Sequence, residues 1–264
     1  MVKYAVISAG GLSTRFRPYS YSMPKEILPI DGIPAVQYAV DECLEAGITR
    51  IIIVTRPNNK IIYEYFFYNP EYREMMVDRF ADDERTQLLI VPEDESLRYG
   101  NAAPLFTVKE IIKNDKFVVI FADDIIVGAN PLIEIVNFEK KHPNGFVVGY
   151  QNVSLDEVYN YGNIISNEEG EIISIRQKPK DNIISTKVIV SRLLLDASIF
   201  DDIPNDEESE LDLGLALSKR IQNEKHKVYA CYLNGTWLSI DSPDKYLKAL
   251  NIYDLMKKTN QCVG

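Results

Sequence analysis

Residues 9–30 read AGGLSTRFRPYSYSMPKEILPI, a run whose residue types suit the handling of a phosphate. Arg15, Arg17 and Lys25 are its cations, Glu26 is its one carboxylate, and Pro18, Pro24 and Pro29 punctuate it. The glycines at 10 and 11 let backbone N–H groups approach phosphate oxygens closely, and Arg15 adds a forked donor. Lys25, further along, supplies a point charge able to reach the far side of the same anion. The candidate cradle is therefore the Gly10–Thr14 backbone with Arg15 and Lys25 around it. Two familiar glycine patterns fail here: Walker A needs G-x-x-x-x-G-K-[ST], and the dinucleotide fingerprint needs G-x-G-x-x-G. On composition alone a solvated polar loop is the competing reading.

Such a loop needs a strand before it. KYAVIS (3–8) is a compact apolar run stopping at Gly10-Gly11, as a buried parallel strand would. Helical spacing over 35–47 ends at a glycine, and RIIIVT (50–55) reads as the next strand. The alternation continues through a helix at NKIIYEYFF, a strand at 86–91, a helix at 102–113, a strand at 116–124, a helix at 131–142 and a strand at 145–150. This pattern predicts an α/β fold, a twisted, mostly parallel sheet with helices on both faces and ligands at the carboxyl ends of its strands.

Beyond residue 150 the spacing changes. Residues 162–179 alternate around a Glu-Glu-Gly turn and predict a hairpin. A strand at KVIVSRLLL, an acidic loop DDIPNDEESELD, a helix LGLALSKRIQNEK, a strand KVYACYL, a loop NGTWLSIDSP and a last helix from Asp244 to about Lys258 complete the chain. No linker composition divides it. The expectation is one domain over 1–264, with residues 1–150 forming one half and a β-rich, substrate-binding insertion on the half from 151 to 264.

The bulk numbers narrow the class. At 264 residues and 46% hydrophobic content the chain can bury a sizeable core. A net charge of -10 argues against general nucleic-acid binding, which needs a basic surface, so any polyanion site must be local. Cys43, Cys231 and Cys262 are scattered and odd in number, and read as reduced thiols. The apolar start is too short for a signal peptide, and no run approaches the roughly 18 residues of a membrane span, so no membrane partner and a cytoplasmic location are expected. His142 and His226 sit beside lysines and read as solvated. Tyr63, Tyr65, Phe66, Phe67 and Tyr68 read as core and subunit contact, consistent with a homo-oligomer, a dimer or tetramer.

Taken whole, residues 9–30 resemble the signature A-x-G-x-G-T-R-x-x-P-x-T-x-x-x-P-K-x-x-x-P of the sugar-phosphate nucleotidyltransferases, and are most similar to its bacterial-type UTP–glucose-1-phosphate uridylyltransferases. PKEILP (24–29) differs from their P-K-E-M-L-P by one conservative change, and Ser13 stands where many members have glycine. The likeness extends to FADDI (121–125), VYNYGNI (158–164), IRQKPK (175–180) and GTWLSIDSPDKYLKA (235–249). It implies a Rossmann-like fold of the nucleotide-diphospho-sugar transferase type and transfer of a nucleotidyl group from a nucleoside triphosphate to a sugar 1-phosphate. Catalytic roles fall on Arg15, Lys25, Asp123 and Lys178, and Asp123 holds Mg²⁺. Nucleotide contacts fall on Ala9, Gly10, Gly11, Ser13, Thr14, Glu93, Gly100 and Asn101, and sugar contacts on Tyr161, Gly162 and Gln177.

Three departures bear on that inheritance. Ser239 occupies the position of the second Mg²⁺ aspartate, and Asp241 stands two residues later, on the same face of a strand, where it could deputise. Gln177 replaces a sugar-binding glutamate, keeping one acceptor and gaining a donor. The base-reading segment appears as PEDESLRYGNAAP (92–104), with Glu93, Asp94 or Glu95 in place of a glutamine. A carboxylate only accepts, which suits guanine or cytosine N–H groups, whereas backbone groups near Tyr99, Gly100 and Asn101 could read uracil. Two other readings stay open: a sugar-nucleotide-binding regulatory paralogue, and a glycosyltransferase using Asp123 and Asp124 as a metal motif.

Overall fold

The computed structural model describes residues 2–72, 74, 86–204, 210–223 and 226–261. Cys262 and part of the acidic loop (205–209) lie outside the described residues. In chain order the elements are β1 (Tyr4–Ala9), a hairpin of β2 (Pro29–Ile30) and β3 (Ile33–Pro34), α1 (Ala35–Glu45), β4 (Arg50–Thr55), α2 (Ile61–Tyr68) and β5 (Gln87–Pro92). Then come α3 (Ala103–Thr107), α4 (Lys109–Ile112), β6 (Phe117–Phe121), β7 (Asp124–Val127), α5 (Pro131–Lys141) and β8 (Phe146–Asn152). The remainder comprises β9 (Gly162–Ser166), β10 (Ile172–Gln177), β11 (Lys187–Leu195), α6 (Leu213–Gln222), β12 (Val228–Tyr232), β13 (Thr236–Ser239) and α7 (Pro243–Gln261).

Strands β5, β4, β1 and β6 lie side by side and parallel, with Ser8 of β1 opposite Val54 and Phe121. The continuous apolar runs of β4, β1 and β6 follow from burial on both faces, whereas β5, at the sheet edge, leaves Leu89 exposed. Along β1, Tyr4 and Val6 face a core shared with α3, α4 and α6, while Ala5, Ile7 and Ala9 face one shared with α1, α2 and α5. Ligands at such a sheet belong where β1, β4 and β6 end.

The second half joins the same sheet through β11, which runs antiparallel to β6. One edge of β11 serves β6 and, near its start, β9; the other serves β8, which pairs in parallel with β12. So β8 does not extend the parallel run beside β6, because β11 stands between them. The hairpin expected over 162–179 forms as β9 and β10.

Several expectations shift. The helix over 102–113 divides into α3 and α4, where the Thr107 hydroxyl turns back to the Ala103 carbonyl (3.1 Å) and also accepts the Asp94 N–H (3.1 Å). The strand over 116–124 ends early. Ala122 N–H bonds Ser8 O (3.0 Å), and β7 then leaves the sheet to pair with β13, inside the stretch expected to be loop. A small core of Ile30, Ala35, Ile125, Leu238, Ile240 and Ala249 fastens α7 onto this two-stranded ribbon. His142 is not simply solvated, since it stacks between Phe138 (4.7 Å) and Tyr229 (4.1 Å). His226 is exposed. In the acidic loop, Asp202 is buried against Arg220 (2.5 Å). Cys43 and Cys231 are free, buried thiols, as expected. Among the described residues no helix is long and apolar enough to cross a membrane.

One buried ion pair ties the halves together. Arg192 of β11, fully buried, meets Glu42 of α1 through two arms (Nε to Oε1 2.8 Å, Nη2 to Oε2 2.7 Å). The same Nη2 donates to the backbone oxygen of Asp124 (2.9 Å). Glu42→Ala strands this guanidinium without its counter-charge, and should cost about 3–5 kcal/mol in urea denaturation. A double replacement of Glu42 and Arg192 by leucine and methionine should recover most of that loss; equal losses from single and double variants would remove the pair from this role.

Candidate active site

The run after β1 folds into three successive 3₁₀ turns, Thr14–Phe16, Tyr19–Tyr21 and Lys25–Ile27, that lead into the small hairpin. Ser13 sits in the left-handed region (φ 48°), which favours glycine. Gly10 packs closely on this side: a Cβ there would lie 3.2 Å from Glu93 Oε2 and would have to push that carboxylate aside.

Four charged groups from distant parts of the chain converge beside this loop. Lys25 Nζ lies 2.5 Å from Asp123 Oδ2, at the turn between β6 and β7. Arg15 Nη1 lies 3.0 Å from Asp241 Oδ2, just beyond β13, although the Arg15 side chain is 60% exposed. The backbone links the two carboxylates, since the N–H of Ile240 donates to the carbonyl of Asp123 (2.8 Å). Burial works against the Lys25 charge, but the surrounding carboxylates, Asp123 foremost, outweigh it and raise its pKa. Glu26 is buried beneath the loop, and burial pushes its carboxyl up to about 8 against the pull of Lys25. The third cation takes no part in this cluster; Arg17 lies over the Tyr21 ring at 5.6 Å.

Asp123 and Asp124 have different work. Asp124 is committed inward, accepting from Trp237 Nε1 (2.9 Å) and from the Ser191 hydroxyl. Burial, then the neighbouring Asp123 charge, raises its pKa. Only Asp123 faces the Lys25 side, so a motif using both aspartates on one metal does not fit this arrangement.

A cavity of about 200 Å³ opens at the strand ends, lined by Gly10, Gly11, Lys25, Glu93, Gly100, Asn101 and Asp123 among others. Seven of the residues assigned from sequence thus meet at one place. Of the three candidate carboxylates for the base, only Glu93 lines this cavity; Asp94 turns to the Ser96 N–H (2.9 Å) and hydroxyl (2.7 Å). Burial raises the Glu93 pKa, with Arg56 pulling the other way. Gly100 is pressed against Leu211, whose carbonyl oxygen would be 2.3 Å from an added Cβ. Asn101 Oδ1 already accepts the Leu213 N–H (2.7 Å), which leaves its amide nitrogen for a ligand.

The sugar-side candidates gather at the hairpin. Gly162 pairs with Gln177 across β9 and β10, and the Lys178 N–H donates to the Tyr161 carbonyl (3.0 Å). Lys178 itself is exposed. The Tyr161 ring packs on Trp237 (4.9 Å), beside a second cavity of about 480 Å³ that also reaches Ser239 and Lys245. Sequence reasoning missed Trp237, Ser191 and Lys245. Only Lys245 had a local signal, lying four residues after Asp241 at the start of a helix.

Comparison with known proteins bears on this geometry directly. Residues 4–254 match the sequence profile of the nucleotidyl transferase family. The chain belongs to that family. A UTP–glucose-1-phosphate uridylyltransferase of Staphylococcus epidermidis is 32% identical over 271 residues, covering 96% of this chain and 93% of its own. A crystal structure of UDP-glucose pyrophosphorylase complexed with UDP-glucose superposes with a TM-score of 0.83 at 28% identity, over 97% of this chain and all of that one. The UTP-bound enzyme from Acinetobacter baumannii gives 0.81 at 26% identity, over 100% and 99% of the two chains. The α/β architecture expected from sequence is thus the nucleotidyl transferase fold.

Proposed function

We propose that this nucleotidyl transferase moves the uridylyl group of UTP onto glucose 1-phosphate, giving UDP-glucose and pyrophosphate. The observation that carries the reading is the meeting of Arg15, Lys25, Asp123 and Asp241 beside the Gly10–Gly11 cavity. A phosphate oxygen of the sugar phosphate bonds to the α-phosphorus of UTP as the bond to the β-phosphate oxygen breaks. The nucleophile is already anionic, so no general base is required, and catalysis reduces to alignment and charge neutralisation. Arg15 and the Gly10–Thr14 backbone hold the β- and γ-phosphates and keep the departing pyrophosphate. Lys25 neutralises the α-phosphate, and Lys178 meets the phosphate of the incoming sugar.

The residues also fit Mg²⁺. Among the described residues no cluster of three or more His, Cys, Asp or Glu groups is assembled for a metal. Mg²⁺ asks less, being held by one or two carboxylates with substrate phosphates and water. Asp241 Oδ1 is buried without a hydrogen-bond partner, as a coordinating oxygen would be before its ion arrives. Asp123 and Asp241 would hold the ion, which when bound supplies positive charge to the phosphates. The exposed aromatics of α2, Tyr63, Phe67 and Tyr68, are our candidates for contact between copies in a homo-oligomer.

Base choice tests the nucleotide half. Uracil offers two carbonyl acceptors and one N–H donor, and backbone N–H groups near Gly100 would serve the two carbonyls that the Glu93 carboxylate, an acceptor only, cannot. In a pyrophosphate-release panel of four triphosphates against several sugar 1-phosphates, UTP with glucose 1-phosphate should give the highest kcat/KM. A clear preference for GTP or CTP would show that the Glu93 carboxylate dominates base reading and would replace the uridylyl assignment.

A further inference from the structure

Asp241 is held from two sides. Its Oδ2 accepts from Arg15 of the glycine loop at 3.0 Å and from Lys245 Nζ at 2.9 Å, while its Oδ1 is buried and unpartnered. Lys245 lies on the first turn of α7, and its ammonium also stands 4.7 Å from the centroid of the Tyr161 ring. An exposed i,i+4 pair contributes little by itself. This one differs, because both side chains are about three-quarters shielded (28% and 25% exposed) and the carboxylate is shared with a second cation from the glycine loop.

We propose that Lys245 is a positioning residue: by anchoring Asp241 Oδ2 it fixes Arg15 for the triphosphate and keeps the buried Asp241 Oδ1 free for the ion. The inference rests on the function proposed above. Geometry gives the reason. Asp241 follows the end of β13, next to Ile240, whose N–H donates to the Asp123 carbonyl. The carboxylate rotamer is set by side-chain contacts, and Arg15, the more exposed of the two cations, leaves for phosphate when nucleotide binds. Lys245, stacked on Tyr161 and rooted in a helix docked through Ala249, remains. With Lys245 in place the carboxylate stays aimed throughout the exchange.

The test compares wild type, Lys245→Met and Lys245→Arg, each checked for its thermal midpoint. The first readout needs no turnover: Mn²⁺ affinity by electron paramagnetic resonance, with UTP present and no sugar phosphate. The second is the steady-state split between the KM for UTP, the KM for glucose 1-phosphate and kcat. Lys245→Met should weaken Mn²⁺ binding and raise the KM for UTP by about five- to tenfold each, corresponding to about 1–1.4 kcal/mol. Lys245→Arg should restore both to within about twofold, since it keeps the charge. Unchanged Mn²⁺ affinity and KM for UTP in a folded Lys245→Met protein would overturn the proposal. A rise confined to the KM for glucose 1-phosphate would overturn it too, making Lys245 a direct sugar-phosphate contact. If wild type releases no pyrophosphate, the proposed function falls, while the Mn²⁺ comparison still decides the role of Lys245.

Discussion

Asp123→Asn should abolish pyrophosphate release, lowering kcat/KM for UTP and glucose 1-phosphate by about 10³-fold or more. The change is nearly isosteric, so packing around the β6–β7 turn survives and circular dichroism should report an intact fold. What disappears is charge. Lys25, only 12% exposed, loses the carboxylate 2.5 Å away, and an amide oxygen is a weaker ligand for a hard divalent cation. Both losses fall on the α-phosphate, where bond making and breaking occur. The adjacent substitution makes the control. Asp124→Asn disturbs the contacts to Ser191 and Trp237, so its main effect should be on stability. Wild-type turnover in Asp123→Asn would remove the residue from the mechanism. An intact protein that binds UDP-glucose in calorimetry yet releases no pyrophosphate with any substrate pair would leave a regulatory paralogue as the reading.

Arg15→Ala should cost about 10²-fold or more in kcat/KM, or about 2.7 kcal/mol of transition-state stabilisation. Arg15 is largely exposed and its tip meets Asp241, so its removal barely touches the core and the thermal midpoint should hold. Negative charge builds on the bridging oxygen as pyrophosphate departs, and a forked, permanently charged donor is suited to that oxygen and its neighbours. Lysine at this position keeps the charge and loses the fork, so Arg15→Lys should recover only part of the rate. Equal turnover by folded Arg15→Ala and wild type would take the phosphate grip away from this loop's first cation.

Much of this protein is legible without coordinates. The runs KYAVIS and RIIIVT are apolar without alternation because strands covered on both faces have no solvent side to pattern. The glycines, Arg15 and Lys25 point to an anion site, although their composition alone leaves a solvated polar loop as the competing reading. What lay beyond reach depends on contacts between segments far apart in the chain. In Asp123-Asp124 adjacent side chains point opposite ways, and which one meets Lys25 is decided by β7 leaving the sheet to pair with β13. That pairing, not any local propensity, makes a strand of Thr236–Ser239 and carries Asp241 to Arg15, 226 positions away in the chain. The break between α3 and α4, the insertion of β11 beside β6 and the bond from Arg192 to the Asp124 carbonyl belong to the same class. Local sequence sets which faces must be buried, but the partner that buries them, and hence the aim of each charged side chain, is settled only when the whole sheet closes on its helices.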